Sequence, residues 1–218
     1  MLQKSTLDFL KSLKKNNNRI WFENNRAKYE TAKNDFEIFV NNLISALSKN
    51  DPKLKDAKAK DCMFRIYRDV RFSKNKAPYK TNFGAVVDEG GRKSDKACFY
   101  IQVEPGNTFV AGGRWMPEPD DLREIRKEIF YNTKKFKKIL SGKSFKKYFG
   151  KLSDVKLKLP PKGFDKNFPD IELLKYTSFI VDNYLGDEKL LSENIFTLCS
   201  DVHKAMLPLL EFLNEATN

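Results

Sequence analysis

Apolar residues recur at helical spacing toward both ends of the chain and switch to strand-like alternation in the middle. Leu7, Leu10 and Leu13 fall on one stripe, which predicts a first helix capped by Ser5 or Thr6 and stopped at the Asn16-Asn17-Asn18 run. Phe22, Tyr29, Phe36, Val40, Leu43 and Leu47 then follow at separations of seven, seven, four, three and four, one face of a longer helical region. Arg26 interrupts that stripe. A long cation there either snorkels past its neighbours or reaches into a polar pocket.

The period then shortens. Residues 62–68, 81–87, 97–104 and 108–111 are short runs rich in aromatic and β-branched side chains. Between them lie Asp88-Glu89-Gly90-Gly91 and Glu104-Pro105-Gly106-Asn107, the latter with Pro and Gly placed for a type II turn. Consecutive strands joined so closely pair antiparallel. Within 97–104, Ala97, Phe99, Ile101 and Val103 share one face, while Cys98, Tyr100, Gln102 and Glu104 share the other. One side of the sheet therefore packs on helices and the other stays partly polar.

Beyond the sheet, Pro117-Glu118-Pro119-Asp120-Asp121 opens a helix bearing Leu122, Ile125 and Ile129. Lysine-rich helices follow, then extended pieces at 155–159 and 176–181. A final helix, capped near Ser192 and kinked at Pro208, carries Ile195, Phe196, Cys199, Val202, Met206, Leu209, Leu210 and Leu213. Helices, then strands, then helices predict an α+β fold: one domain over residues 1–218, with a mainly antiparallel sheet of about four to six short strands flanked by N- and C-terminal helices.

Composition removes several classes. The chain of 218 residues is long enough to bury a core without disulfide or metal staples. No apolar run approaches a membrane span, and Asp8 and Lys11 interrupt what would have to be a signal sequence, so a cytoplasmic protein is expected. Cys62, Cys98 and Cys199 are scattered and read as small core residues. The single histidine, His203, lies beside the last helix's apolar stripe, which excludes a histidine-cluster zinc site and leaves it as the one imidazole for a catalytic pair. There is no phosphate-binding GxxxxGK[ST] and no GxGxxG. Gly112-Gly113 before Arg114 is too short a signature, and Asp120 and Asp121 nearby would compete with an anion. No cofactor and no metal are implied.

The charge balance is more informative. Forty-one basic side chains against 29 acidic leave a net charge of +12. Between Ile129 and Ser153 there is no acid, while Lys134, Lys135, Lys137, Lys138, Lys143, Lys146, Lys147 and Lys151 alternate with aromatics. This is either a basic, aromatic-studded nucleic-acid surface or a pair of amphipathic helices with aromatics inward. The spacing of Phe136, Ile139 and Leu140, and of Phe145, Tyr148 and Phe149, favours the helices.

Arginine is scarcer and more clustered. Three of only nine lie within seven residues, Arg65, Arg68 and Arg71, and Lys74, Lys76 and Lys80 follow with Asp69 as the lone acid. If a strand runs through here, Arg68 shares a face with Phe64 and Ile66, and a guanidinium on a core face must be satisfied. Asp69 is one candidate partner and an anionic ligand is another, since the planar fork matches carboxylate or phosphate equally well.

The stretch Arg-Ile-Tyr-Arg-Asp-Val-Arg-Phe-Ser-Lys-Asn-Lys-Ala-Pro-Tyr-Lys-Thr-Asn-Phe-Gly-Ala, residues 65–85, resembles the signature of a widespread family of uncharacterised proteins, domain of unknown function 2461. Asn18 to Glu23 with Arg26 and Tyr29 resembles that family's opening. Phe99-Tyr100-Ile101, Gly112 to Pro117 and Leu122 to Arg126 are similar too. The resemblance spans roughly residues 3–213 and implies no established activity.

Two functional expectations follow. One is a protein that binds a phosphate-bearing partner, nucleic acid or a phosphorylated small molecule, through Arg65, Arg68, Arg71, Lys74, Lys76 and Lys80. Arg26, Tyr67, Asp69, Tyr79, Arg114 and Trp115 would line that site. The other is an enzyme clamping a small anionic substrate, with Asp69, Tyr67, Tyr79 or Glu104 moving protons. A purely structural arginine cluster is the third reading. An open basic face separates the first from the second, which needs a deep convergent pocket.

Overall fold

Asp35 shows how local sequence and tertiary contact divide the task of building this fold. Helix α1 (Lys4–Lys15) starts after Gln3, whose side chain caps nothing. The orphan N–H of Gln3 instead donates to Asp35 Oδ2 at 3.0 Å, and the Thr6 hydroxyl donates to the same oxygen at 2.5 Å. A carboxylate from another helix thus does what a Ser5 or Thr6 cap was expected to do, at the positive end of the α1 dipole.

The computed structural model describes residues 1–217. The expected long helical region is two helices, α2 (Arg19–Asn24) and α3 (Arg26–Leu47), broken at Asn25 with φ −113° and ψ 19°. Asn25 spends its side-chain amide on the Trp21 carbonyl at 2.9 Å, the local competition with backbone that makes Asn a poor interior helix residue. After a 3-10 turn at Pro52–Asp56 comes the single turn α4 (Ala59–Cys62). Strands β1 (Phe83–Val87), β2 (Cys98–Val103), β3 (Phe109–Arg114) and β4 (Phe179–Tyr184) form one antiparallel sheet in sequence order. Helices α5 (Pro119–Tyr131), α6 (Thr133–Ser141), α7 (Lys143–Tyr148) and α8 (Ile171–Leu174) lie between β3 and β4. The chain ends with α9 (Asp187–Leu190) and α10 (Ile195–Glu215), the latter with Pro208 inside it.

The protein is α+β, as its periodicity predicts. The run 62–68 is the element that differs. It makes only isolated bridges, Met63 to Ala85 and Tyr67 to Tyr79, rather than a strand. Pro78 on the opposite arm has no N–H, so opposite Arg68 the ladder keeps a single bond, Arg68 N–H to the Pro78 carbonyl at 2.9 Å. Likewise, the piece 155–159 is held by one bridge, Lys156 to Tyr176.

The chain packs as two compact units. The first comprises Met1–Ser94, Tyr100–Val110 and Tyr184–Asp201. Its core joins Leu10 and Leu13 of α1, Phe36, Val40, Leu43 and Leu47 of α3, and Phe83, Ala85 and Val87 of β1. Phe36 and Phe83 stack at 5.2 Å. The second comprises Asp95–Phe99, Ala111–Asn183 and, among the described residues, 202–217. Phe136, Phe145, Phe179, Val202, Met206 and Phe212 are buried there, and His203 is buried with its ring edge-on to Phe99 at 5.6 Å. The amphipathic reading of the lysine-rich region describes α6 and α7: Phe136 and Phe145 are buried while all eight lysines from Lys134 to Lys151 are exposed. Cys62 and Cys199 are buried free thiols, and burial pushes the Cys199 thiol up to about 12. No helix among the described residues is long and apolar enough to cross a membrane.

Candidate functional site

The arginine cluster belongs to the first unit, on an irregular hairpin running from Met63 to Ala85. Backbone bonds from Phe64 N–H to the Gly84 carbonyl and from Lys80 N–H to the Ile66 carbonyl, at 2.9 and 2.8 Å, pair its arms. Apolar and amide contacts fix both arms to the body of the unit. Tyr79 is buried and stacks on Phe22 at 4.0 Å and 13° between planes. The Asn17 side chain acts as a surrogate strand neighbour: its amide donates to the Tyr79 carbonyl at 2.9 Å, and its carbonyl accepts from Tyr79 N–H at 3.1 Å. Arg92 donates to the carbonyls of Lys60 and Met63 and holds the outgoing arm.

The loop between the arms, residues 69–77, is closed by its own cations. Arg68 is half-buried, as its place among apolar neighbours requires. Its partners, however, are neither Asp69 nor a ligand: Nη1 donates to the Ala77 carbonyl at 2.9 Å and Nη2 to Ser73 Oγ at 3.2 Å. Asp69 is taken by Arg71, which forks onto it from Nε at 3.0 Å and Nη2 at 2.7 Å. That hydrogen-bonded guanidinium holds the Asp69 carboxyl below the usual carboxylate range. Lys76 Nζ donates to the Val70 carbonyl at 3.0 Å.

Three cations of the cluster are differently placed. Arg65 and Lys74 are exposed and make no hydrogen bond or ion pair among the described residues. Lys80 is partly buried with its ammonium 5.1 Å from the centre of the Phe64 ring; burial first, then the Arg65 charge, lower its pKa. At the loop tip Phe72 is 96% exposed, beside the Arg71 guanidinium at 5.7 Å.

The other expected lining residues separate. Arg26 points outward rather than into a buried pocket. It pairs with Glu23 and Glu30 at 3.5 and 3.3 Å and donates to the Tyr67 hydroxyl at 3.4 Å, so Arg26, Tyr67 and Tyr79 do gather on the hairpin's α2–α3 side. Arg114 and Trp115 belong to the second unit. Arg114 is buried and ion-paired to Asp121, the acid expected to compete for an anion there, and Trp115 is exposed.

The groups proposed for proton transfer are structurally committed. Glu104 accepts from Thr81 at 2.9 Å, Gln102 at 3.0 Å and Asn107 at 3.1 Å, the end of a polar row in which Tyr100 donates to Gln102 at 3.2 Å. Burial, then the Glu104 charge, push the Tyr100 hydroxyl up to about 12. Burial raises the Tyr79 hydroxyl as well. Both phenols are therefore poor bases at neutral pH. The first unit also has an open groove of about 640 Å³ between α1, α2 and α3, lined by Asp8, Phe9, Trp21, Asn25, Lys28 and Thr31 among others, and no arginine lines it. Among the described residues no group of three or more His, Cys, Asp or Glu could hold a metal ion.

The partly polar face of β2 expected from its alternation is the row Tyr100, Gln102 and Glu104, whereas Phe72 and Asn17 were not singled out from the sequence. Phe72 carries a legible signal all the same: its helical-spacing and alternate neighbours, Arg68, Asp69, Val70, Lys74, Asn75 and Lys76, offer almost no apolar face for it to join. Asn17 leaves no such trace, because its partner is 62 residues away.

No curated protein and no solved structure matches the chain. A family model described as Conserved hypothetical protein (DUF2461) matches residues 5–212, nearly the whole chain and all of the hairpin. The chain belongs to the DUF2461 family of conserved hypothetical proteins.

Proposed function

We propose that this protein binds the phosphate groups of a nucleic acid through the exposed face of the 63–85 hairpin. The carrying observation is the division of labour among its cations. Arg68, Arg71 and Lys76 are engaged in building the loop, whereas Arg65 and Lys74 are exposed and make no hydrogen bond or ion pair among the described residues, the Arg65 charge reaching Asp69 only through space. Six cations against the single acid Asp69 on residues 65–80 leave a strongly positive surface around them. Such a surface suits a polyanion that lies across it, since several phosphates can then be neutralised at once and their counterions released.

A clamp on a small substrate would instead call for guanidinium groups converging in a pocket with a poised acid or base. Arg68 and Arg71 fork away onto loop atoms, and Glu104 is saturated by donors. These observations favour the open-face reading over catalysis.

Binding of a labelled oligonucleotide measured across a salt series tests the proposal. Affinity should fall steeply with salt, and the double variant R65A/K74A should flatten the log–log slope by about 0.7–0.9 for each phosphate that is no longer neutralised, at unchanged thermal stability. A salt-independent response, or no retention of either strand form at low salt, refutes it.

A further inference from the structure

Phe72 has no role in the fold. It is 96% exposed at the apex of the 69–77 loop, and its ring lies beside the Arg71 guanidinium. The Asp69 carboxylate holds that guanidinium, accepting from its Nε at 3.0 and 3.2 Å and from Nη2 at 2.7 Å, and it also accepts from the Arg71 backbone N–H at 3.2 Å. The loop beneath is fastened by Arg68 to Ala77 and Ser73, and the Ala77 N–H donates to Asn75 Oδ1 at 2.9 Å. The tip is therefore a flat apolar ring and a planar cation side by side, presented on a hydrogen-bonded base.

From this we infer that the hairpin is selective for single-stranded nucleic acid, with an unpaired base stacking on Phe72 beside Arg71. The inference rests on the phosphate-binding reading of the same hairpin and adds what the loop tip would recognise. A base face is the apolar surface that comes attached to a phosphate, and both an aromatic ring and a guanidinium plane stack on it. In a duplex those faces are covered by neighbouring bases, so Phe72 would gain nothing there. An anionic membrane also combines charge with an apolar phase. Lowering Phe72 into it, however, would carry the adjoining Arg71–Asp69 ion pair out of water, whereas a base stacked on the tip leaves the pair solvated.

The test uses the full chain, one fluorescent oligonucleotide as a single strand and as its duplex, and vesicles of phosphatidylcholine with phosphatidylserine. F72A should weaken single-strand binding by roughly 5- to 100-fold while leaving the salt slope and duplex affinity as they were. F72W should retain the single-strand preference. Thermal melts of both variants should overlay the parent, since the side chain packs on nothing in the interior. Equal affinity for single strand and duplex in the parent, or an F72A protein that binds single strands as the parent does, overturns the inference. So does vesicle binding that F72A abolishes with no effect on oligonucleotides. If R65A/K74A still lowers affinity while F72A is silent, phosphate binding stands and only the stacking claim falls. If the parent binds neither strand form, both fall together.

Discussion

Arg68 and Arg65 are three residues apart and carry the same charge, yet they should behave oppositely on removal. Arg68→Ala deletes two hydrogen bonds, to the Ala77 carbonyl and to Ser73, from a half-buried guanidinium. A typical protein hydrogen bond contributes about 0.5–1.5 kcal/mol net, and one from a charged donor somewhat more, so removing both should cost about 1–3 kcal/mol. In a chain of this length each kcal/mol moves Tm by about 2–4 °C, which puts the expected fall at roughly 2–12 °C. The damage should concentrate in the loop, because the backbone bond from Arg68 to Pro78 survives the substitution. Scanning calorimetry reads the first effect, and amide exchange at residues 69–77 reads the second. Arg68→Lys keeps the charge but cannot reach both acceptors in one plane, so it should recover only part of the deficit. Arg65→Ala, at an exposed site without a partner, should stay within about 0.5 kcal/mol of the parent. A melt of R68A that matches the parent, or an R65A protein destabilised as much as R68A, would refute the assignment of Arg68 to structure and Arg65 to ligand.

Two further expectations test other parts of the molecule. Gly113 has φ +122°, and an added Cβ would land on the carbonyl of Phe179 in β4, so Gly113→Ala should cost about 3 kcal/mol or more, seen as failed soluble expression or a collapsed denaturant midpoint. Asp69, held below the ordinary carboxylate range by Arg71, adds to loop order above its unfolded pKa, and that contribution fades as pH falls through the folded value. Loop order should therefore be intact at mildly acidic pH and weaken below about pH 4; a carboxyl NMR titration of Asp69 with a midpoint at or above the ordinary aspartate value contradicts this.

How much of the site was legible in the sequence differs from cation to cation. That the chain clusters arginine at residues 65–71 needs no structure, and neither does the requirement that Arg68, among Phe64 and Ile66, be satisfied. Which group satisfies it could not be read. Asp69 is adjacent in sequence, but the loop geometry gives it to Arg71 and turns Arg68 toward Ala77 and Ser73 across the closure. Spacing likewise settled the lysine-rich helices: Phe136 and Phe145 sit where a 3.6-residue period puts them, and their lysines point away.

By itself the sequence determined the α+β class, the antiparallel strands and the faces of β2, because period and turn chemistry act over a few residues and leave a local record. Membership of the family is written there as well, in the residues of the hairpin and the segments around it. Only the tertiary structure decided that Asp35 caps α1, that Asn17 holds Tyr79 from 62 residues away, and that Arg68 reaches Ala77 and Ser73 while Arg71 takes Asp69. Those outcomes depend on which distant polar groups come within hydrogen-bond reach, and the chain's folding brings them there without any periodicity that would announce it.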